Sequence, residues 1–176
     1  TLSLTDRVDT LVGFFGINEK PSSSKDPYAL RRIALGIIRI IIENKKRLKI
    51  GDLISYSSNL YSDQGFNFSN NKLLDDLLIF LKDRFRYYLK EKDIRYDIIE
   101  ASTKTVNFNS ISAVFEKAKS LNKVINKPIG EDIVASYKRA SNILYSEIRD
   151  IDKDISNSTD PGIFKNDYEK DFYKKT

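Results

Sequence analysis

The sequence predicts an all-α protein made of several helices, and three observations lead to that prediction. Apolar residues recur at every third or fourth position along most of the chain, which is the spacing of an amphipathic helix. No clear run of period-two alternation, the pattern of a half-buried strand, breaks that spacing. Glycine, proline and serine-rich stretches separate the periodic segments and mark loops. Hydrophobic residues make up 40% of the 176 residues, so the chain is able to bury a core.

The first two predicted helices flank a serine-rich loop. An apolar stripe over residues 4–15 predicts the first helix, and Gly13 and Gly16 are expected to end it because glycine favours helix C-termini. Asp26 precedes a proline, which is the pattern of an N-cap and a first helical residue. A long second helix is therefore predicted from there to about Asn44. The apolar faces of the two helices should cover each other or pair between chains.

The same spacing predicts the remaining helices, which are separated by polar loops and by turns at residues 128–130 and 160–162. The strongest of them carries a broad apolar face between Leu73 and Leu89. The predicted helical segments are residues 51–61, 70–89, 95–102, 109–126, 133–144 and 166–175.

The composition excludes several kinds of active site. The chain contains neither Cys nor His, so it cannot form disulfides, thiolate nucleophiles or metal centres built on those residues. It also has no glycine-rich phosphate loop and no pair of carboxylates that stands out as acid and base. We therefore predict no catalytic residue and no metal site.

No apolar run approaches the ~20 residues that a membrane-spanning helix needs. No signal peptide is visible either, so the simplest interpretation is a cytoplasmic protein without a membrane partner. The chain begins at Thr1 and contains no Met, so we expect it to be an internal piece of a longer protein.

The basic charge is concentrated in one part of the chain. There are 30 Lys and Arg and 25 Asp and Glu, giving a net charge of +5. Residues 20–50, the basic segment, contain nine basic and two acidic residues, so they carry +7 and the rest of the chain −2. Lys45, Lys46 and Arg47 follow directly on the second helix. The helix dipole favours a cation there, but three in succession exceed that need and predict contacts to phosphate.

Two other basic groups lie on later predicted helices. Arg84 and Arg86 alternate with aromatic residues, which suits an RNA surface because rings stack on bases and guanidinium groups meet phosphates. Lys138 and Arg139 lie close to Asn142 on another helix. For both groups the alternative is the solvated face of an ordinary amphipathic helix, and the sequence alone favours that alternative.

Two stretches near the start of the chain read LTDRVDTLVGFFG and KPSSSKDPYALRRIALGIIRIIIEN. They resemble the Leu-Ala-Asp-Lys-Leu-Asp-Thr-Leu-Val-Gly and Gly-Ser-Lys-Asp-Pro-Phe-Ala-Leu-Arg-Arg stretches of the beta subunit of bacterial glycyl-tRNA synthetase. Later segments similar to that family follow in matching order, namely LKDRFRYYLKEKDIRYDIIEA, SYKRASNIL and STDPGIFKNDYEKDFY. The matching residues of the first two stretches are Leu4, Asp6, Asp9, Thr10, Leu11, Val12, Gly13, Ser24, Lys25, Asp26, Pro27, Ala29, Leu30, Arg31 and Arg32.

The resemblance implies part of an enzyme, glycine–tRNA ligase, a class II aminoacyl-tRNA synthetase that joins glycine to tRNA-Gly with ATP and Mg. The chemistry and the ATP site would lie on a separate alpha subunit of a heterotetramer, and the beta subunit would chiefly recognise tRNA. This chain would then be a noncatalytic tRNA-binding portion without a cofactor of its own. Its partners would be tRNA-Gly and the alpha subunit, and not DNA.

Within that family the chain would be a multi-helix assembly of three parts. Residues 1–50 would be the distal helices of a region like HD-type phosphohydrolases, residues 51–127 a helical linker, and residues 128–176 the start of an anticodon-binding-type helical bundle. Asp6 matches the last Asp of the HD pattern, whose histidines are absent here. One carboxylate is a poor metal site, so we expect Asp6 to be a helix-end or interhelical hydrogen-bond partner, and not part of a hydrolase.

The tRNA-binding prediction names candidate phosphate contacts in two ranks. Arg31 could instead lie in the interior and pair with Asp9 or Asp26, which would lock the first two helices together. The alternative function is a helical scaffold that bridges domains or docks the alpha subunit without contacting tRNA. Basic charges clustered on one exposed face favour RNA, whereas paired or dispersed charges favour the scaffold. The candidates are Lys25, Arg31, Arg32, Lys45, Lys46 and Arg47 in the first rank, and Arg84, Arg86, Lys138 and Arg139 in the second.

Overall fold

The computed structural model describes residues 1–22, 24–66, 68, 70–104, 108–149, 161–164 and 166–175. Over these residues every regular element is a helix, so the all-α prediction is confirmed. A short 3-10 helix covers Pro161–Ile163. The α-helices are α1 (Leu2–Gly16), α2 (Leu30–Glu43), α3 (Ile50–Asp63), α4 (Asn70–Glu91), α5 (Tyr96–Lys104), α6 (Ile111–Ile125), α7 (Pro128–Arg149) and α8 (Asp167–Lys175).

The chain divides into two compact units, residues 1–131 and residues 132–176. The first unit contains α1 to α6 and the buried core, and the second contains most of α7 together with α8. The three parts expected from the resemblance, 1–50, 51–127 and 128–176, stay a prediction, because a division by compactness does not identify the regions of a family.

The core of the first unit lies where α1, α2 and α4 meet. α1 packs against α2, α3 and α4, α5 packs on α4 and α6, and α6 packs on α2. Val12, Ile37 and Ile38 are fully buried, so the apolar faces of α1 and α2 cover each other within one chain. Burying one such side chain fully contributes about 1.5–3 kcal/mol to folding, before the cost in conformational entropy.

Helices α1 to α4 end in the same local structure among the described residues. The residue after each C-cap is left-handed, and its N–H and that of the next residue donate to carbonyls of the last helical turn. These residues are Asn18, Lys45, Gly65 and Asp93, with φ between 50° and 92°. Asn, Gly and Asp tolerate this conformation, whereas a long side chain such as Lys adopts it at a cost.

The glycines of α1 have a different role from the one predicted. The helix does end at Gly16, but the left-handed residue that terminates it is Asn18, and Gly13 lies inside the helix. A Cβ at Gly13 would lie 2.6 Å from the Tyr61 hydroxyl oxygen, and one at Gly16 would lie 2.4 Å from the Phe68 ring. Both glycines therefore let an aromatic side chain lie directly against the helix backbone.

Helix α2 starts later than predicted. It begins at Leu30, because the residues after Asp26 form a turn and Ala29 is left-handed, with φ 54°. Asp26 nevertheless caps the helix, since its carboxylate accepts hydrogen bonds from the backbone N–H groups of Leu30 and Arg31 at 2.8 and 3.1 Å. The N-cap position is therefore Ala29 and not Asp26 as predicted, although the Asp26 side chain does supply the capping hydrogen bonds.

Asp9, and not Asp6, makes the interhelical hydrogen bonds expected of Asp6. Asp6 is exposed, and its carboxylate has no hydrogen-bond or ion-pair partner among the described residues. One helical turn further on, the Asp9 carboxylate accepts hydrogen bonds from Ser57 Oγ at 2.9 Å and from the Tyr61 hydroxyl at 3.3 Å. Burial, and then the charge of Asp9, raise the pKa of Tyr61. Asp9 thus joins α1 to α3, and the expectation for Asp6 is wrong.

Candidate nucleic-acid interface

The connection between α2 and α3, residues 44–49, is called the basic loop here. Lys45 begins it in the left-handed conformation, and the backbone N–H groups of Lys45 and Lys46 donate to carbonyls of the last turn of α2 at 3.0 and 2.9 Å. The Asn44 side chain also donates to the Ile40 carbonyl, at 2.9 Å. These bonds fix one end of the loop. Its four cations, all of them exposed, are Lys45, Lys46, Arg47 and Lys49.

The far end of the basic loop is tied to Asn109, which lies just before α6. The N–H of Ile50 donates to the Asn109 carbonyl at 2.9 Å, and the N–H of Gly51 donates to the Asn109 side-chain oxygen at 2.7 Å. A Cβ at Gly51 would lie 2.9 Å from that oxygen, so glycine permits the close contact. Because both ends are fixed, the loop cations lose little conformational freedom of the backbone when a ligand binds.

A cleft of about 770 Å³ lies between the basic loop and the first turns of α6, and it is called the basic cleft. Lys45, Arg47 and Lys49 line it from the loop, and Lys119 lines it from α6. No ion pair engages these four cations within the part of the chain that the structure describes. Among the described lining residues they face one carboxylate, that of Glu116, so positive charge prevails in the cleft.

The start of α6 adds hydrogen-bond donors to the same cleft. Ser110 is the N-cap residue, and its side chain makes no capping hydrogen bond. The N–H groups of the first helical turn lack acceptors within the helix, and the helix dipole favours negative charge near them. Ser110 and Ser112 line the cleft with hydroxyl groups, and Ile42, Leu48 and Phe115 give it a partly apolar surface.

Other cations of the basic segment make contacts inside the molecule and are called the anchored cations here. Lys20 Nζ lies 2.6 Å from the Asp76 carboxylate on α4. The Arg39 guanidinium lies 3.5 Å from the Glu91 carboxylate, and that of Arg31 donates to the backbone carbonyl of Ser22. The anchored cations are Lys20, Arg31 and Arg39.

Arg31 is thus held near the loop that precedes α2. Its guanidinium contacts a backbone carbonyl, and its backbone N–H contacts Asp26, whereas Asp9 makes no contact with it among the described residues. Of the two partners considered for Arg31, Asp26 is found, but through the backbone and not through an ion pair.

The two arginines of α4 separate into different environments. Arg86 contacts α5 through Glu100 at 3.3 Å and through Thr103 Oγ1 at 3.3 Å, and it lies 3.5 Å from Asp83 of its own helix. Arg84 is half-buried, and its Nε is buried without a hydrogen-bond partner among the described residues. Neither side chain belongs to a freely exposed basic surface.

Tyr88 lies among charged side chains close to Arg39, in what is called the anchored region here. It is a buried residue that lines a cavity on α2 and α4 together with Arg39, Glu43 and Glu91. Burial raises the pKa of Tyr88 most, and the Glu43 carboxylate raises it further, while Arg39 opposes the shift. Lys92 lines the cavity as well, so two cations and two carboxylates balance here, in contrast to the basic cleft.

The remaining candidates are exposed but lie outside the basic cleft. Lys25 and Arg32 flank the start of α2, and Lys138 and Arg139 lie on α7 in the second unit. No ion pair involves any of the four in the described residues. Each candidate stays a prediction.

Sequence reasoning missed two cations of the basic cleft. Lys49 was counted in the charge of the basic segment but not named as a contact, although its position in the loop was a sufficient signal. Lys119 gave no such signal, because only the hydrogen bonds to Asn109 show that α6 starts beside the basic loop.

The described ranges contain neither a metal-binding cluster nor a membrane-spanning helix. No group of three or more Asp or Glu residues there is arranged to hold a metal ion. No helix in that part of the chain has the length and apolar character to cross a membrane.

Comparison with known proteins identifies relatives along nearly the whole chain. The chain is 39% identical over 173 residues to the glycine–tRNA ligase beta subunit of Rickettsia canadensis, which covers 98% of this chain and 24% of the relative. It is 33% identical over 193 residues to the same subunit of Dinoroseobacter shibae, which covers 96% of this chain and 27% of the relative. The chain is also 36% identical over 143 residues to the same subunit of a Ruegeria species, a match that covers 81% of this chain and 19% of the relative.

The chain therefore spans about a quarter of the length of these relatives. The family model described as the glycyl-tRNA synthetase beta subunit matches residues 1–104, which include the basic loop and α1 to α5. The resemblance drawn from residues 4–32 is confirmed by both comparisons. This chain belongs to the glycyl-tRNA synthetase beta subunit family.

Proposed function

We propose that this chain is a noncatalytic, tRNA-binding part of glycine–tRNA ligase. The observation that carries the proposal is the basic loop, whose four cations are exposed and without ion pairs in the described chain. Cations left unpaired on a fixed loop suit phosphate groups, because each contact releases condensed counterions from the nucleic acid. Elsewhere in the segment Lys20, Arg31 and Arg39 make contacts inside the molecule, and the exposed Lys25 and Arg32 lie outside the basic cleft.

Such contacts would position tRNA without reading its sequence. Lysine and arginine bind phosphate oxygens whatever the base, so they fix the orientation of the tRNA and leave specificity to other parts of the enzyme. We place the reaction itself, the joining of glycine to tRNA-Gly with ATP and Mg, on the alpha subunit. The proposal thus has tRNA-Gly and the alpha subunit as partners, no DNA or membrane partner, and a cytoplasmic location.

The test is the binding of labelled tRNA-Gly to the full chain across a salt series. Four phosphate contacts predict a slope of log affinity against log salt of about −3 to −4. We expect an acceptor-stem minihelix to compete and an anticodon stem-loop to compete less. Absence of binding at low salt, from a chain shown to be helical by circular dichroism, contradicts the proposal.

A scaffold that docks the alpha subunit is the second candidate, and α7 favours it. This helix exposes large apolar side chains one or two turns apart, with Ile133, Tyr137 and Leu144 each more than half exposed. A partner surface would cover them more favourably than water does. Binding of purified alpha subunit to the chain without tRNA, lost in Ile133→Asp and kept in the basic-loop variants, supports the scaffold.

A further inference from the structure

We propose that the basic cleft is a two-walled binding site for the phosphodiester backbone of RNA. The basic loop forms one wall through Lys45, Arg47 and Lys49, and α6 forms the other through Lys119. The inference rests on the proposed tRNA-binding function and deepens it, because it selects one site among the candidate cations. It also adds a residue, Lys119, that lies outside the part of the chain matched by the family model.

The two walls are held at a fixed separation. The N–H groups of Ile50 and Gly51 both donate to Asn109, one to its backbone and one to its side chain. Asn109 leads directly into α6, while Ile50 and Gly51 open α3 at the end of the basic loop. The cations on both walls are therefore arranged before a ligand arrives, which lowers the entropy cost of binding.

The chemistry of the lining suits a phosphate group that carries a sugar or a base. The donors available are lysine, arginine and serine side chains, which are the groups that contact nucleic-acid phosphates in known interfaces. The cleft, at about 770 Å³, falls within the size range of ligand-binding clefts. Leu48 and Phe115 offer apolar surface beside the cations, which suits a sugar or base attached to the phosphate.

Glu116 makes the proposal testable by a gain of binding. It lines the cleft from α6, close in sequence to Lys119, and no cation pairs with it among the described residues. A phosphate entering the cleft would be repelled by this carboxylate. Removing its charge should therefore strengthen RNA binding if phosphate occupies the cleft, and should have no effect if RNA binds elsewhere.

The experiment measures the affinity of the full chain for labelled tRNA-Gly at 0.1 M salt. It compares a double variant, which changes one lysine on each wall of the cleft, with a matched control. Lys49→Gln/Lys119→Gln is expected to lose about 30-fold or more and to reduce the salt slope by about two. The control Lys90→Gln/Lys127→Gln removes the same charge from exposed lysines outside the cleft and should stay within about twofold. Glu116→Gln should bind about two- to fivefold more tightly.

The outcomes separate this inference from the proposed function. Equal losses in the cleft variant and the control, or no gain with Glu116→Gln, overturn the cleft while leaving tRNA binding in place. Absence of tRNA binding by the unmodified chain overturns both. Competition by a 20-residue polyglutamate as strong as that by a 20-nucleotide RNA overturns the assignment of RNA and indicates an acidic protein segment. Unchanged thermal melting curves exclude loss of folding as the cause.

Discussion

The two halves of the basic segment contain the same kind of residues, but the anchored cations of the first half and the loop cations of the second have opposite surroundings. In the first half Lys20, Arg31 and Arg39 each contact an acceptor within the molecule, two of them carboxylates on α4. In the second half the cations of the basic loop are exposed and have no ion pair in the part of the chain that the structure describes. Net charge alone does not separate the halves, whereas the position of the acids on α4 does.

The difference has a physical origin in the packing. The first half lies along α1, α2 and α4, where Asp76 and Glu91 of α4 come within reach of a cation. The basic loop projects beyond the end of α2 and meets α6, where Lys119 adds a further cation. Charge of one sign gathered in this way repels itself and destabilises the fold slightly, so a ligand of opposite charge is the natural use for it.

The largest effect should come from removing the loop cations that line the cleft. Replacing all three by Gln is expected to lower the affinity for tRNA by about 100-fold or more at 0.1 M salt, because each phosphate contact contributes roughly five- to tenfold there. The melting temperature should remain unchanged, since these side chains make no ion pair in the described residues. Fluorescence anisotropy measures the affinity for tRNA, and thermal melting measures the melting temperature. The variant is Lys45→Gln/Arg47→Gln/Lys49→Gln.

The matched variant removes the three anchored cations and the same charge. It should destabilise the chain by about 1–2 kcal/mol through the lost ion pairs and hydrogen bond. Its affinity for tRNA should fall only about threefold or less, through the long-range field. Similar losses of affinity in the two triple variants would abolish the distinction between the halves. This variant is Lys20→Gln/Arg31→Gln/Arg39→Gln.

Arg86 extends the comparison to α4. Arg86→Ala removes contacts to Glu100 and Thr103, and with them a link between α4 and α5. We expect a loss of about 1–2 kcal/mol in the free energy of unfolding, because the Thr103 hydroxyl and the half-buried Glu100 each lose one of their partners. Urea denaturation measures it. A drop in tRNA affinity with unchanged stability would instead place Arg86 in the interface.

Lys45 should show opposite effects on stability and binding. It is a lysine in a left-handed conformation, where glycine has no steric cost, so Lys45→Gly is expected to stabilise the chain by about 0.5–1 kcal/mol. The same change should weaken tRNA binding by about five- to tenfold through the lost charge. Lys46→Gly, at a neighbouring residue without positive φ, is the control and should destabilise. Unchanged binding in Lys45→Gly contradicts a role for this cation.

The smallest effect concerns pH in the anchored region. The pKa of Tyr88 lies above 10.0 in the folded chain, so the neutral phenol is favoured by folding. This contribution is fully present below pH 10 and is lost as the pH rises above it. In Tyr88→Phe the free energy of unfolding should therefore fall less as the pH rises above 10, as measured by urea denaturation. The basic-loop variants should leave that loss unchanged at matched ionic strength, and an equal change in them would contradict the assignment.

The sequence was informative where local rules decide the structure. Apolar spacing located the helices because each buries one face, as the buried Ile37, Ile38 and Ile41 of α2 demonstrate. The left-handed residues that follow the C-caps of α1, α2 and α4 are Asn18, Lys45 and Asp93. They were not predicted, because only the conformation reveals a left-handed residue that is not glycine. Local rules therefore predict the existence of each helix more reliably than the residues at which it begins and ends.

Only the part of the site made of residues adjacent in sequence was predictable. Lys45, Lys46 and Arg47 are adjacent in sequence, so their clustering was visible at once. Lys119 joins them through packing across more than 70 positions, and Arg86 likewise meets its partners through the packing of α5 on α4. Such long-range contacts are not encoded in any spacing that the sequence displays, which is why Lys119 was missed and the contacts of Arg86 on α5 were not foreseen.

Lysine acetylation of the full chain, with and without tRNA-Gly, tests the central claim most directly because it reads both halves in one sample. Mass spectrometry would report the modification rate of each lysine. We expect tRNA to protect Lys45, Lys49 and Lys119 severalfold, while Lys20 and the exposed Lys90 keep their rates. Protection spread evenly over all exposed lysines, or absent from the basic cleft, would contradict the account.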